Sequence, residues 1–398
     1  MRYHLRCRLC EEVTEPAPSD ACRRCDGPTD VAYDWPHLTR RLTSAVVGER
    51  PKNLWRYREL LPTGARVDVG SGWTRLVPCE PLSDLLELDL WLKLESENPT
   101  RSFKDRIATL AVSAALDHGI TTVCCSSTGN LGDAVAAAAS ATGVEAVVLV
   151  PVGGASAAVE AEHSGVHVLA VRGSYDDCRR LELELGSLFP WGFVSGNLHP
   201  YASEGAKTTA FEITEQLGWQ LPDAVVCPAA SGTLFAKLTQ GFAEMTRAGL
   251  AHEPLPQMFA AQALGSSPIA AAFADDRAIS RVQADTHVLS LAVGDPSYGD
   301  LALGAARATG GAVLALPEDE IATYTELLTE TTGVAPDASG GASLGALIAA
   351  RRSGMIEAGS RVVLVVSGRR PRSGVEGPHV RTIDPDVADV LGALGLDS

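Results

Sequence analysis

Short apolar runs alternate with Ala-rich helical segments over most of the chain, from about residue 90 to residue 368. The runs are WLKLE, TTVCCSS, EAVVLVP, HVLAVRG, DAVVCPA, PQMFAAQA and RVVLVVSG, and helical segments between them include DRIATLAVSAALDHG, GDAVAAAASATG, DDCRRLELELGSLF and 231–246. Strands that alternate with helices of roughly 10–15 residues indicate βαβ units in a mainly parallel sheet. The sequence therefore predicts an α/β fold. Because a chain of 398 residues exceeds the size of a single growing core, we expect two packed domains and a small additional segment.

The charge balance argues against a nucleic-acid partner. The formal net charge is −16, whereas nonspecific nucleic-acid binding depends on Lys and Arg side chains that neutralise phosphates. Gly, Pro or charged residues interrupt each apolar run well before the roughly 20 residues of a membrane span, and the polar start MRYHLRCRLC lacks a signal-peptide core. We therefore expect a cytoplasmic protein that binds a small molecule and neither nucleic acid nor a membrane.

Four of the nine cysteines form two C-x-x-C pairs near the N-terminus. The spacing is typical of two knuckles that close a tetrahedral thiolate site, which predicts structural zinc on Cys7, Cys10, Cys22 and Cys25. One alternative is a redox pair or a site that has lost its metal. Another is a nucleic-acid-binding zinc ribbon, which the local arginines favour and the acidic remainder opposes. The other cysteines lie in or beside apolar runs, as expected of small buried hydrophobic residues: Cys79, Cys124, Cys125, Cys178 and Cys227.

Lys104 lies where a loop passes into a helix, in the segment ENPTRSFKDR. The positive end of the helix dipole and the neighbouring Arg106 favour loss of the lysine proton, and the neutral amine is the form that reacts with carbonyl groups. A single lysine in such a turn is weak support for a site, because most are solvated.

Two further turns between a strand and a helix are rich in small and polar residues. The turn SSTGN at 126–130 offers backbone N–H groups, hydroxyls and an amide to an anion such as a substrate carboxylate, although the same residue types cap helices. The turn AASGT at 229–233 has small residues that let backbone amides approach a phosphate at a helix N-terminus. It lacks the lysine of a P-loop, so nucleotide hydrolysis is not implied.

Together these segments resemble those of threonine synthase and its relatives among the fold-type II pyridoxal-phosphate (PLP) enzymes, over nearly the whole chain. NPTRSFKDR is similar to the family's NPTGSFKDR, and STGN follows in register. The head ending in VAYDW and the segments NLWRYRELLP, NLHPYASEGAKTTAFEITEQLGW and VGDPSYGD also look like family segments. The resemblance implies PLP as cofactor and a fold of two open parallel-sheet domains with a small N-terminal zinc-ribbon-like segment.

The resemblance also implies roles for individual residues. Lys104 carries the cofactor as a Schiff base, Asn130 bonds its ring hydroxyl oxygen, and Ser367 contacts its pyridine nitrogen. Ser127 and Thr128 face the substrate carboxylate. The implied cofactor-binding set is Lys104, Asn130, Ala230, Ser231, Gly232, Thr233 and Ser367, in which the turn 230–233 holds the cofactor phosphate.

Several loops on the substrate side depart from the family pattern. The family's G-E-G-x-T-P-L is replaced by GSGWTRL, which brings in Arg75, and the glycine of NPTGS is replaced by Arg101. TGNTS has become TGNLG, and GNGG has become ASGT. An added guanidinium such as that of Arg101 suits a phosphate, sulfonate or second carboxylate of the substrate. The alternative is a surface arginine.

The resemblance implies a lyase that removes phosphate from O-phosphohomoserine and adds water. The altered loops keep open an alternative, β-replacement on O-phosphoserine or another serine derivative with sulfite or a thiol as acceptor, as in cysteate-synthase-like members. A non-catalytic binding protein is a third hypothesis, but it predicts a lost lysine or a broken STGN loop, and neither is found. Because family members are commonly dimers, the resemblance is compatible with a homodimer.

The predicted organisation has five segments. They are a zinc-ribbon-like head at 1–35, a linker with a short helix at 36–76, interleaved PLP-lysine and substrate-loop domains at 77–210, a larger cofactor-phosphate domain at 211–370 and a C-terminal extension at 371–398.

Overall fold

The computed structural model describes residues 3–152, 165–369 and 380–396. Within these ranges no helix is long and apolar enough to cross a membrane. The strands are β1 (Tyr3–Cys7), β2 (Val13–Thr14), β3 (Thr29–Tyr33), β4 (Leu76–Pro78), β5 (Asp89–Leu94), β6 (Thr122–Ser126), β7 (Glu145–Pro151), β8 (Val166–Val171), β9 (Gly192–Phe193), β10 (Ala224–Pro228), β11 (Gln257–Ala263), β12 (Ala312–Leu316), β13 (Arg361–Val366) and β14 (Arg381–Ile383).

The helices follow the strands in the alternation that the sequence predicts. They are α1 (Trp35–Leu38), α2 (Ser44–Gly48), α3 (Glu80–Leu86), α4 (Lys104–Asp117), α5 (Asn130–Ser140), α6 (Tyr175–Gly186), α7 (His199–Ala202), α8 (Glu204–Gln216), α9 (Thr233–Arg247), α10 (Pro268–Ala274), α11 (Gly299–Ala308), α12 (Glu318–Thr332), α13 (Ala338–Arg352) and α14 (Val387–Leu394). Short 3₁₀ helices lie at Leu54–Leu60, Glu95–Glu97 and Leu289–Leu291.

Two parallel sheets form the body of the protein. The larger sheet has the order β12-β11-β10-β13-β5-β4, and all its pairs are parallel except β4 with β5. The smaller sheet has the order β14-β8-β7-β6-β9 and is parallel throughout. A third sheet, β2-β1-β3, is antiparallel and lies in the N-terminal head. The prediction of an α/β fold with two open parallel sheets is confirmed.

The central strands are predominantly apolar, and both faces of each sheet are covered. Every residue of β6 and β10 is buried, as are the five inner residues of β7. A strand with one solvated face alternates polar and apolar residues, whereas a parallel strand buried on both faces reads as a continuous apolar run. The apolar runs of the sequence therefore predicted the strands at the centres of the sheets well.

Strands at the sheet edges were harder to predict. All seven runs named above form strands. The four strands at the edges of the two parallel sheets, β4, β9, β12 and β14, were not predicted. The predicted segment 371–398 contributes β14 and α14, while its residues 371–379 and 397–398 lie outside the described residues. The segment 77–210 contributes strands to both parallel sheets. The segment boundaries themselves remain predictions.

The head packs directly on the body. The Tyr201 hydroxyl donates to the carbonyl oxygen of Ala17 at 2.8 Å. Arg8 pairs with Asp30 at 2.5 Å, and its guanidinium carbon lies 4.5 Å from the ring centroid of Tyr298. The N–H of Tyr298 in turn donates to the carbonyl oxygen of Ser231 at 2.8 Å. The head therefore contacts a residue that supports the turn at 230–233.

Candidate active site

A cavity lies at the carboxyl ends of β6, β10 and β13, which is where ligands bind in open parallel sheets. It has a volume of about 810 Å³, including space open to solvent. Both sheets contribute, because β6 belongs to the smaller sheet while β10 and β13 belong to the larger. Of the residues singled out from the sequence, the cavity is lined by Lys104, Ser127, Thr128, Asn130, Ala230, Ser231, Gly232, Thr233 and Ser367.

Lys104 is the first residue of α4, and its side chain lines the cavity. The chain just before it is tied to the end of β13, since the N–H of Phe103 donates to the carbonyl oxygen of Ser367 at 3.0 Å. Among the described residues no carboxylate pairs with the Lys104 amine, and burial lowers its pKa to about 8. The neutral form of this amine is therefore reached much closer to neutral pH than in an exposed lysine.

Arg106 does not lower the pKa of Lys104, so that part of the expectation was wrong. It is fully buried and pairs with Glu95 at 2.6 Å and Glu212 at 2.5 Å, while Lys93 pairs with the same Glu212 at 2.7 Å. Burial alone would raise the pKa of Glu212, but the two cations outweigh burial and lower that pKa to about 2. The charge of Arg106 is thus already balanced, and the pairs hold α4 against α8 and β5.

The turn after β6 uses one of its hydroxyls for its own structure. The Ser127 hydroxyl accepts from the N–H of Gly129 at 2.9 Å and of Gly132 at 2.8 Å, and it is buried. Thr128 and Asn130 also line the cavity, and Asn130 is the first residue of α5. Ser127 therefore shapes the loop that presents its neighbours to the cavity.

The turn after β10 places a helix N-terminus at the cavity. Gly232 has a φ of +83°, and a Cβ there would lie 2.7 Å from the carbonyl oxygen of Tyr298, so both conformation and space require glycine. The hydroxyl oxygens of Ser231 and Thr233 lie 3.0 Å apart, and Thr233 begins the 15-residue helix α9. Backbone N–H groups, two hydroxyls and the positive end of a helix dipole are the features that bind a phosphate.

Ser367 belongs to a hydrogen-bonded group that the sequence did not predict. Its hydroxyl lies 2.9 Å from that of Ser339, and the Ser339 hydroxyl donates to the Asp337 carboxylate at 2.6 Å. All three residues line the cavity, and burial raises the pKa of Asp337. Asp337 is the N-cap of α13, so its position before the segment ASGG was a signal for a helix start but not for a cavity.

The structure does not bring the two candidate substrate arginines into the cavity. Arg101 is not among its lining residues, and its φ of +68° lies in the region that favours glycine. Arg75 is 70% exposed and pairs with Glu97, with Nε 2.7 Å from a carboxylate oxygen. This backbone conformation explains why the family has glycine in NPTGS, but it does not explain the arginine of this chain.

Two cavity neighbours were missed because nothing local marks them. Tyr175, the first residue of α6, lines the cavity, and its hydroxyl interacts with Ser126. Glu182, two turns further along α6, is buried and accepts hydrogen bonds from the Ser126 hydroxyl at 2.5 Å and the Ser195 N–H at 3.1 Å. The one hint in the sequence was the position of Glu182, a charged residue on the apolar face of an otherwise amphipathic helix.

The four head cysteines come together as their spacing predicts. Their sulfur atoms all lie within 4.8 Å of one another, with Cys7 and Cys25 at 3.5 Å and Cys10 and Cys22 at 3.7 Å. Backbone N–H groups two residues after Cys7 and Cys22 donate to their sulfurs at 3.3 and 3.4 Å. The other five cysteines are buried, so the expectation of small buried residues is confirmed.

Comparison with known proteins agrees with the chemistry of the cavity. The profile of the family described as Pyridoxal-phosphate dependent enzyme matches residues 67–368, which is most of the chain. The chain therefore belongs to the pyridoxal-phosphate dependent enzymes, and within them to the threonine synthase family. The expected resemblance is confirmed.

The relatives that support this assignment match nearly end to end. Threonine synthase from Methanosarcina acetivorans is 32% identical over 92% of this chain and 91% of its own length. Threonine synthase from Mycobacterium tuberculosis is 32% identical over 85% of this chain and 95% of its own length.

Solved structures at lower identity show the same fold. Threonine deaminase isoform 2 from Solanum lycopersicum, in its processed form, superposes with a TM-score of 0.65 at 18% identity, covering 87% of this chain and 95% of that chain. Maize serine racemase gives a TM-score of 0.63 at 21% identity, covering 76% and 88%.

Proposed function

We propose that this protein is a PLP-dependent lyase of the threonine-synthase type, which eliminates phosphate from O-phosphohomoserine and adds water. The observation that carries the proposal is the free amine of Lys104 in a cavity at the carboxyl ends of both sheets, in a chain 32% identical to a threonine synthase over 92% of its length.

The residues present fit PLP. The cofactor has an aldehyde, a phosphate, a ring hydroxyl and a ring nitrogen, and the cavity offers a partner for each. Lys104 supplies an amine, the turn 230–233 supplies N–H groups and hydroxyls, Asn130 supplies an amide, and Ser367 supplies a hydroxyl. When bound, PLP supplies a carbonyl for attachment to lysine and a ring that withdraws electrons from the substrate Cα.

Lys104 has two tasks in this proposal. It holds the cofactor, and once the substrate takes its place it accepts and returns the proton at Cα. A group that must do both works best with a pKa close to the working pH, and burial brings the pKa of Lys104 to about 8. The lack of a paired carboxylate among the described residues leaves the amine free to move.

The loop at 126–130 orients the substrate carboxylate. Because the Ser127 hydroxyl is already engaged with its own loop, its contribution is to fix that loop, while Thr128 and backbone N–H groups face the ligand. Ser367 would contact the ring nitrogen. Ser339, which donates to the buried Asp337 carboxylate and lies 2.9 Å from the Ser367 hydroxyl, would orient that hydroxyl. A hydroxyl at this position leaves the ring nitrogen largely unprotonated.

The head is proposed to bind one structural zinc. Four Zn–S bonds of about 2.3 Å in a tetrahedron require sulfur separations of about 3.8 Å. The separations of 3.5 Å for Cys7 with Cys25 and 3.7 Å for Cys10 with Cys22 are close to this value. The backbone N–H groups that donate to Cys7 and Cys22 orient the sulfurs, as hydrogen bonds to metal-binding side chains do at metal sites. Four thiolates leave no open position, so this metal has no part in the reaction.

We further propose that the protein works in the cytoplasm on a free amino acid and not on a nucleic acid. The net charge of −16 argues against a nucleic-acid substrate. A homodimer remains a prediction from the resemblance.

The reaction is tested by mixing the PLP-loaded protein with O-phosphohomoserine or O-phosphoserine, with and without sulfite or a thiol, and measuring phosphate and the mass of the products. We expect threonine and phosphate from O-phosphohomoserine. Phosphate from O-phosphoserine alone, with a sulfite or thiol adduct as product, would assign β-replacement instead.

A further inference from the structure

Arg179 is a half-buried arginine on α6, beside the active-site cavity. It lines two smaller cavities, and one of these shares Tyr175, Ser231 and Val293 with the active-site cavity. A positive charge therefore lies next to the space that the substrate enters, on the side of the phosphate-binding turn.

Its guanidinium has no hydrogen bond or ion pair among the described residues. The neighbouring cations of the same small cavity are occupied, since Arg180 pairs with Glu184 at 2.7 Å and Arg281 with Asp176 at 3.7 Å. The nearest buried carboxylate, Glu182, is already bonded to the Ser126 hydroxyl and the Ser195 N–H. The charge of Arg179 acts on the Glu182 carboxylate through space and works against the rise of its pKa by burial. Among the described residues, however, no hydrogen bond takes up the N–H donors of Arg179.

Several acidic groups lie around Arg179, and Asp295 lines the same small cavity without forming an ion pair with it. The carboxylate of Asp177 accepts from the N–H and hydroxyl of Ser174 at 2.8 Å. Asp20 of the head lines the cavity on the far side, and His199 is held neutral because burial lowers its pKa to about 3. Among the described cations that line these two small cavities, Arg179 is the one that makes no hydrogen bond or ion pair.

We infer that Arg179 binds the anionic group on the substrate side chain, which is the phosphate in the proposed reaction. A guanidinium binds a phosphate through two parallel hydrogen bonds, and the hydroxyls of Tyr175 and Ser231 line the same space. The inference rests on the proposed function and gives Arg179 the role that the sequence assigned to Arg101. The cofactor phosphate is the other anion near Ser231, and the test separates the two.

The experiment compares Arg179→Gln with two matched variants of the PLP-loaded protein. Arg180→Gln removes the neighbouring, already paired cation of the same helix, and Arg101→Gln removes the rival guanidinium. For each we would measure KM and kcat with O-phosphohomoserine, the dissociation constant of PLP, and the binding of inorganic phosphate by calorimetry. Unfolding midpoints establish that the variants are folded.

Arg179→Gln is expected to raise KM about 10- to 100-fold and to weaken inorganic phosphate by a similar factor, with the affinity for PLP unchanged. Arg179→Lys should recover part of the loss, and the two control variants should change KM less than about twofold. Weaker PLP binding at unchanged KM would assign Arg179 to the cofactor phosphate and overturn the inference.

The phosphate measurement keeps this inference separate from the proposed reaction. If the wild-type protein does not turn over O-phosphohomoserine, the proposed reaction fails, yet phosphate binding that depends on Arg179 still supports an anion site. Inorganic phosphate that binds equally well to the wild type and to Arg179→Gln, or to neither, would refute the site whatever the substrate.

Discussion

The head and the body hold their functional side chains in place by different means. In the head, three short strands bring four sulfur atoms within 4.8 Å of one another, and Leu5 and Val31 are the buried aliphatic residues of those strands. In the body, Lys104 is fixed by the hydrogen bond from Phe103 to the end of β13 and by buried ion pairs behind α4.

The contrast follows from how much apolar surface each part buries. A segment of about thirty residues buries little apolar surface of its own, so the head relies on packing against the body and, in our proposal, on a metal. The body buries whole strands and helices. It can therefore hold the Lys104 amine in apolar surroundings, where burial lowers the pKa of that amine. We therefore expect the proposed metal to matter more for the order of the head than for the order of the active-site cavity.

We expect the largest effect from Lys104→Ala, which should abolish catalysis in the body and leave the head intact. Lys104→Ala removes the amine that carries the cofactor and moves the proton, so turnover should fall by roughly 10⁴-fold or more. The visible absorbance of lysine-bound cofactor should also disappear. Metal content should stay at about one per chain, and an unchanged absorption spectrum would show that another residue holds the cofactor.

The reciprocal change is Cys22→Ser. Structural zinc contributes about 10–16 kcal/mol in small zinc modules, so loss of one ligand should release the metal and unfold the head. Metal analysis and hydrogen exchange in residues 3–33 would report this, while cofactor absorbance persists. Cys79→Ser, at a buried cysteine outside the cluster, is the control and should keep the metal. Retention of metal by Cys22→Ser would exclude a four-sulfur site.

A substitution in the ion pairs behind the active site tests how much these buried pairs stabilise the body. Glu212→Gln leaves the charges of Arg106 and Lys93 without their shared partner, and breaking a buried pair costs about 3–5 kcal/mol. Denaturant unfolding should show a loss of this size. Glu184→Gln breaks an exposed pair with Arg180 and should cost less than about 0.5 kcal/mol. Equal effects of the two substitutions would mean that the buried network has no special part.

We expect the smallest effect from relieving the backbone strain at Arg101. Arg101 adopts a φ of +68°, which costs a non-glycine residue about 1–2 kcal/mol, partly offset by the flexibility of glycine in the unfolded chain. Arg101→Gly should therefore stabilise the protein by up to about 1 kcal/mol. Arg180→Gly, in the middle of α6, should destabilise it by about 1 kcal/mol. A destabilising Arg101→Gly would show that the Arg101 side chain makes a contact worth more than the strain.

The sequence by itself determined the fold class, the central strands, the four-cysteine cluster and the turn that carries Lys104. Each of these depends on short-range patterns. An apolar run reports a strand covered on both faces, and a C-x-x-C pair brings its own two sulfurs close. The motif residues reach the cavity because three strand ends point the same way in parallel sheets.

Only the tertiary structure decided which distant residues meet. Ser367 joins Ser339 and Asp337 because α13 begins beside the end of β13, and Arg179, on a helix of the other sheet, lines a smaller cavity that adjoins the active-site cavity. Conversely, Arg101 stands inside the best-matched motif and does not line the cavity. Local patterns specify backbone conformation and burial, whereas the direction of a loop side chain and its neighbours depend on how the two sheets pack together.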